Sequence, residues 1–308
     1  MSHSRPSIAG GTVGSLLDGR VIEREPFMKL YTSPKQLRDY SARTFAAIPA
    51  MLLAAGLVST MAQSARAAGF KITNIHFETN ASACDMGIQI AFDTEGVTEG
   101  AVQDPNGVTV YSLNSAGGMK ATGGQTEGFL EGIEPQIKEL LSALGCAPST
   151  EEGTSTLAAL FAAWPAGSYT FTGQRNGATL QGHDRLTHHI PAGAKVLAPL
   201  NGAVLSDAAV LIRWKPVTTP IVHTLGPVNI VGYHVIVYEA GGEVTPQLDV
   251  DLPASEASLK VPAQFLKPST TYQFEVLSTE ESGNQTITEG FFCTTGVATC
   301  ARPALPSR

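Results

Sequence analysis

The stretch His183-Asp184-Arg185-Leu186-Thr187-His188-His189 holds the densest set of groups that could do chemistry. Neutral imidazoles with a carboxylate are ligands for zinc or copper. His183, Asp184 and His188 are therefore the candidate metal ligands. Alternation along a strand works against them, however. It puts His188 on one face with Leu186 and Ile190, and turns His183 and His189 to the other. One ion could reach them only across a bulge, so the expectation is ordinary hairpin residues.

Other acidic groups are sparser. Asp249 and Asp251 share one face of an expected strand, near Glu239 and Glu243. The Asp104/Asn106 turn lies downstream of Asp93 and Glu95. Calcium needs six to eight oxygens, and neither set supplies them, so a solvated face and a turn are expected. The chain has no Gly-x-Ser-x-Gly, no His-Glu-x-x-His and no phosphate loop ending Gly-Lys-Ser/Thr. The expectation is a protein without catalytic residues or cofactor. Asn80-Ala81-Ser82 and Asn284-Gln285-Thr286 fit the acceptor rule for N-linked glycans.

The elements that position these groups follow a leader. Thr44–Gln63 is an uncharged, Ala-rich run. Lys29, Lys35, Arg38 and Arg43 precede it, and Ala65-Arg66-Ala67 follows. A positive arm, an apolar middle and a small-x-small exit make a secretory signal. Residues 1–67 read as a leader with its start at Met28 and cleavage after Ala67, leaving no stable membrane span. The chain carries a net charge of −7, and its leader holds eight Lys+Arg against four Asp+Glu, so the remainder carries −11. With no basic surplus to neutralise phosphates, sequence-independent nucleic-acid binding is excluded as an expectation. Export to the periplasm or the medium is expected.

Cys84, Cys146, Cys293 and Cys300 all lie past the leader, and none sits in a Cys-x-x-Cys spacing. In an oxidising compartment two disulfides are the default. Adjacent pairing keeps each bridge inside one expected domain, although three connectivities are open.

Residues 68–192 read as a β-rich domain. Met86, Ile88, Ile90 and Phe92 alternate, as do Tyr169 with Phe171 and Ala178 with Leu180, the latter pairs flanking an Asn176-Gly177 turn. A helical insertion spans about 126–164. Pro135 suits a first helical position, Ile137, Leu140, Leu141 and Leu144 follow at helical spacing, and Gly145 ends the run. Thr154 or Ser155 caps a second helix carrying Leu157, Leu160, Phe161 and Trp164. Trp164 continues that apolar stripe and reads as core.

Past Pro191-Ala192-Gly193 the pattern becomes uninterrupted short strands, the mark of a β-sandwich. Ile212-Arg213-Trp214-Lys215-Pro216 resembles the second strand of a fibronectin type III domain, with its buried Trp. Tyr233–Tyr238 resembles the third. Leu266-Lys267-Pro268, followed by Tyr272-Gln273-Phe274-Glu275-Val276, is similar to that family's Leu-x-Pro and Tyr-x-Phe-x-Val pattern. The resemblance implies structural roles for Trp214, Tyr233, Leu266 and Tyr272, with the Tyr272 hydroxyl bonding back to backbone. It implies a domain at 195–297 and binding or scaffolding as the role; the Pro-rich, polar end of the chain reads as a tail at 298–308. The stretch 217–230 is longer than the usual connection between the second and third strands.

The fold class expected is mainly β: a fibronectin type III-like sandwich preceded by a β-rich sandwich with a two-helix insertion. The function expected is non-catalytic binding of a protein or glycan partner through sandwich loops. The alternative is a metal-binding protein or hydrolase with its site in the first domain. If the leader reading holds, mass spectrometry of the exported protein finds Ala68 at the amino terminus; retention of any leader peptide contradicts it.

Overall fold

The computed structural model describes residues 69–149, 153–206, 210–240 and 247–302. The expected leader, its start at Met28 and its cleavage after Ala67 lie outside the described residues. So do Glu243 and the tail past residue 302. In chain order the first part contains β1 (Ile72–Asn80), β2 (Asp85–Val97), β3 (Glu99–Gln103), β4 (Thr109–Asn114), α1 (Gly117–Ala121) and β5 (Gln125–Glu131). It continues with β6 (Gln136–Ile137), α2 (Lys138–Leu144), β7 (Thr154–Ser155), α3 (Leu157–Ala163), β8 (Gly167–Arg175) and β9 (Ala178–Leu186). The second part contains β10 (Lys195–Ala198), β11 (Ala203–Leu205), β12 (Val210–Lys215) and β13 (Ile230–Glu239). It ends with β14 (Gln247–Pro253), β15 (Ser258–Val261), β16 (Thr271–Glu280) and β17 (Gln285–Thr294).

Alternation builds the first sandwich. Ile75 and Phe77 of β1 and Met86, Ile88, Ile90 and Phe92 of β2 point to one side. They meet Val102, Tyr169, Phe171 and Leu180 from the four-stranded sheet β4-β3-β8-β9 in one core. Asn176 and Gly177, both at positive φ, make the tight β8–β9 turn. The second sandwich faces β10-β12-β15 against β14-β13-β16-β17. Trp214, Tyr233, Val235, Tyr272, Phe274 and Phe292 fill the space between. The chain is mainly β, as the patterning predicts.

Two expectations about the helices need correction. Pro135 does not open a helix. Gln136 and Ile137 are drawn into strand pairing, each side of β6 taking a partner in β2 or β7, and α2 starts only at Lys138. The cap of α3 is Thr156, whose hydroxyl accepts from the Ala159 N–H, because Thr154 and Ser155 are paired with β6. Gly145 does end α2, in the left-handed conformation at φ 75°. The Gly-rich run before them holds α1, and β5 pairs with β2; neither element was expected.

The two sandwiches are not separate beads. β1 pairs in parallel with β17 over Glu78–Asn80 and Gln285–Ile287, so one ten-stranded sheet runs through both. β17 divides its free edge: β1 takes the first half, and β11 takes Phe292–Thr294. The connecting segment 187–194 is stitched to the β16–β17 hairpin. Thr286 Oγ1 donates to the Pro191 carbonyl at 2.6 Å, and Ser278 Oγ to that of Ala192 at 2.8 Å. Asn284, fully buried, holds three segments at once. Its Oδ1 accepts from Phe77 N–H at 2.8 Å, and its Nδ2 faces the Thr187 carbonyl, Thr187 Oγ1 and the His189 carbonyl, each at 3.0 Å.

The disulfides are Cys84–Cys146 and Cys293–Cys300. The first ties the β1–β2 turn to the segment after α2, closing a separation of 62 residues. A loop of that size restricts the unfolded chain by roughly 4 kcal/mol in the chain-entropy picture. The second fastens the end of the described chain to β17.

Asn284→Ala strips the partners from several buried polar groups, each worth about 1–3 kcal/mol when orphaned. Urea unfolding is expected to show a loss of roughly 3 kcal/mol or more; a loss under about 0.5 kcal/mol contradicts the role given to Asn284.

Candidate functional site

The three candidate metal ligands go separate ways. His183 stands on β9, with Nδ1 3.3 Å from Thr170 Oγ1 across the hairpin. Asp184 points to the opposite face and accepts from the Ile75 N–H at 2.7 Å, joining β9 to β1. Burial raises its carboxyl above the usual range, and the backbone bonds from Ile75 and Arg185 offset part of that. His188 lies beyond the strand. Its ring stacks on Phe161 at 3.9 Å and 9°, while Nε2 donates to the Trp164 carbonyl at 2.9 Å. That carbonyl ends α3, so His188 closes a helix terminus and packs one face of the helix. Among the described residues no cluster of ligand atoms includes His183, Asp184 or His188.

The remaining carboxylates are also committed. Asp104 Oδ1 accepts from the N–H groups of Asn106 and Val108, which fixes its own turn. Asp93 and Glu95 flank Lys71. Asp249 and Asp251 flank His234, a partner invisible in the acidic pattern because it sits on β13.

One acidic group was not anticipated. Glu78, Glu131 and Glu134 place carboxylate oxygens within 4.8 Å of one another. The strand register explains it: Glu78 of β1 lies opposite Gly87 of β2, and the side chain of Glu134 folds over that glycine. Three carboxylates could face a hard cation. Here, however, amide groups already turn toward them: Gln285 donates to Glu78, and Gln89 to Glu131 at 3.2 Å. The nearby His76 imidazole is pushed down to about 4 by burial, so it is neutral at pH 7 and adds no cation.

The glycan acceptors sit at the seam between the sandwiches. Asn284 has no exposed surface, and its Nδ2 is engaged as described, so that sequon is closed in the folded chain. Asn80 is half-buried, with Nδ2 donating to Glu289 at 2.8 Å.

The residues singled out by the family resemblance form the second core. Tyr272 Oη accepts from the Lys267 N–H at 2.8 Å, so the corner hydroxyl pairs a donor that the Leu266–Pro268 turn would leave bare. Tyr233 Oη does the same for Val217 N–H at 2.8 Å, anchoring the start of the long β12–β13 connection. Trp214 packs on Tyr233 with ring centroids 5.2 Å apart.

That connection, residues 216–229, crosses onto the first sandwich. Ile221 N–H donates to the Ile190 carbonyl at 3.0 Å, and Ala192 N–H to that of Thr219 at 3.0 Å. Ile221, Val222 and Leu225 join the first core. Gly226 lies against the His189 ring, where a Cβ would come within 3.0 Å of Nε2. The loop therefore meets the helical insertion and forms a broad open cleft of about 1130 Å³. Its walls are Lys138, Glu139 and Ala143 of α2 on one side and Ile221, His223 and Pro227 of the loop on the other. Glu139 also accepts from the Leu157 N–H at 3.2 Å, which fixes α2 against the start of α3. The cleft mixes apolar side chains with a few polar groups. Sequence reasoning marked both walls separately, but nothing in the sequence pairs them.

By contrast, the β16–β17 turn is spent internally. Ser282 and Asn284 bond the connecting segment, and Glu281 is tied to Asn229.

No family model matches the chain, and no curated protein matches it. Solved structures resemble it over about a third of its length. A structure described as that of a myokine is 14% identical and covers 35% of this chain and 99% of its own, with a TM-score of 0.25. A computationally redesigned β-sandwich protein is 20% identical, covering 36% and 99%, at 0.26. A fibronectin type III domain of human collagen XX is 16% identical, covering 34% and 90%, at 0.23.

His188→Ala removes the Trp164 bond and the Phe161 stacking. It is expected to lower stability by about 1–3 kcal/mol and to leave metal content, read by elemental analysis of the purified protein, at zero as in the parent. Stoichiometric metal in the parent that disappears in the variant contradicts this structural role.

Proposed function

We propose that the chain is an exported, non-catalytic binding protein that holds a protein or glycan partner in the cleft between α2 and the β12–β13 loop. The observation that carries this reading is the convergence of the insertion and the long connection on one concavity of about 1130 Å³. Each is an addition to a sandwich, and additions on a rigid scaffold are where recognition surfaces are built. The breadth and openness of the cleft suit a chain-like partner better than an enclosed small molecule.

Export rests on the leader pattern and on two disulfides, which persist in oxidising compartments. Among the described residues no helix is long and apolar enough to cross a membrane. The binding reading rather than catalysis rests on the engaged state of the candidate groups: His188 closes a helix, Asp184 pairs with backbone, and Asp104 holds its own turn.

The test is cross-linked capture from the native envelope or medium, comparing the parent with Ala143→Arg. Ala143 is exposed on the cleft side of α2, so a long cationic side chain there blocks the cleft without touching a core. Capture is expected to fall at least tenfold with an unchanged circular dichroism spectrum. Undiminished capture by the folded variant contradicts the cleft as the binding site.

A further inference from the structure

His234 sits on the outward face of β13, 6% exposed, between two carboxylates of the neighbouring strand. Its Nδ1 is 2.7 Å from Asp251 Oδ1, and its Nε2 is 2.9 Å from Asp249 Oδ1. Asp251 lies directly opposite in the ladder, and Asp249 two pairs further on, opposite Ile236. These three groups span the β13–β14 seam. Among the described residues β14 is the last strand on its side of the ten-stranded sheet, with β13 as its only strand neighbour.

The charge balance around the ring is one-sided. β16, on the other flank of β13, presents Glu275, which accepts from the Tyr238 hydroxyl at 3.0 Å. β13 itself contributes Tyr238 on that face and Glu239 at its end; β13, β14 and β16 contain no Lys or Arg. His234 is thus the one group of these three strands that can carry positive charge among Asp249, Asp251 and Glu275.

We propose that the protonated His234 ring is the clasp that holds β14 on the sheet, and that β14 loosens as the ring loses its proton. An imidazolium carries an N–H on each side and can satisfy both carboxylates. A neutral ring has one N–H and turns a lone pair toward the other carboxylate. Asp249 and Asp251, two residues apart on one face of β14, then lose the cation between them, and their like charges repel at short range. An edge strand, bonded on one side only, is the element least able to absorb that loss. Burial alone lowers the pKa of His234, but the bonds and charges of Asp249 and Asp251 more than offset it and leave it raised. A raised folded pKa contributes stability that is whole below the ordinary histidine value and is lost as pH rises through the folded one. The device does not depend on the cleft, since neither strand lines it.

The experiment is hydrogen exchange of β14 amides across pH, each rate divided by the intrinsic rate at that pH. In the parent chain, β14 protection should fall by up to tenfold for each pH unit between the ordinary and the folded pKa of His234. Amides joining β16 to β17 should stay level. His234→Gln, uncharged throughout, should give low β14 protection at every pH. Level protection of β14 in the parent, or the same fall in His234→Gln, overturns the proposal. Asp251→Asn guards against a variant that does not fold: it should move the fall to lower pH, and a fall at the parent's pH overturns the proposal equally.

Discussion

A side-chain amide at the seam between two sandwiches decides how the molecule is organised. Asn284 gives its oxygen to β1 and its nitrogen to the segment that links the halves. A buried amide is costly unless every polar atom is paired, and here one position of the two bodies pairs them. The parallel contact of β1 with β17 lies beside it and extends one sheet through both cores. Without that seam the long β12–β13 connection would have no first core to enter, and the cleft would have only one wall.

The seam also consumes features that a sandwich usually leaves free. The β16–β17 turn is an end loop that could present a ligand-binding tip, yet Ser282 and Asn284 are turned inward and bonded. One of the two glycan sequons is lost to the same burial. What remains open is the cleft where α2 and the loop face each other.

Much of the architecture was legible in the residues. Period-two alternation marked β2, β8 and β9, and the succession of short strands marked the second sandwich. The Tyr272 corner was legible because its spacing from Leu266 and Pro268 is local. The failures were non-local. Pro135 and the residues after it follow helical rules, but a strand partner in β2 outbid them; Thr154 lost its capping role to the same pairing. The cleft was legible only in halves, since its walls lie some eighty residues apart in sequence and meet through the non-local seam and the bonds of the loop to the connecting segment. His234 was missed as the partner of Asp249 and Asp251 because cross-strand register does not show in a run of carboxylates.

That the two sandwiches form one rigid body can be measured directly by residual dipolar couplings from the backbone amides of each half in a weakly aligned sample. A single alignment tensor fitting β1–β9 and β10–β17 together is the result this account predicts. Two tensors of clearly different magnitude, each fitting its own half alone, would show the halves reorienting independently and would contradict it.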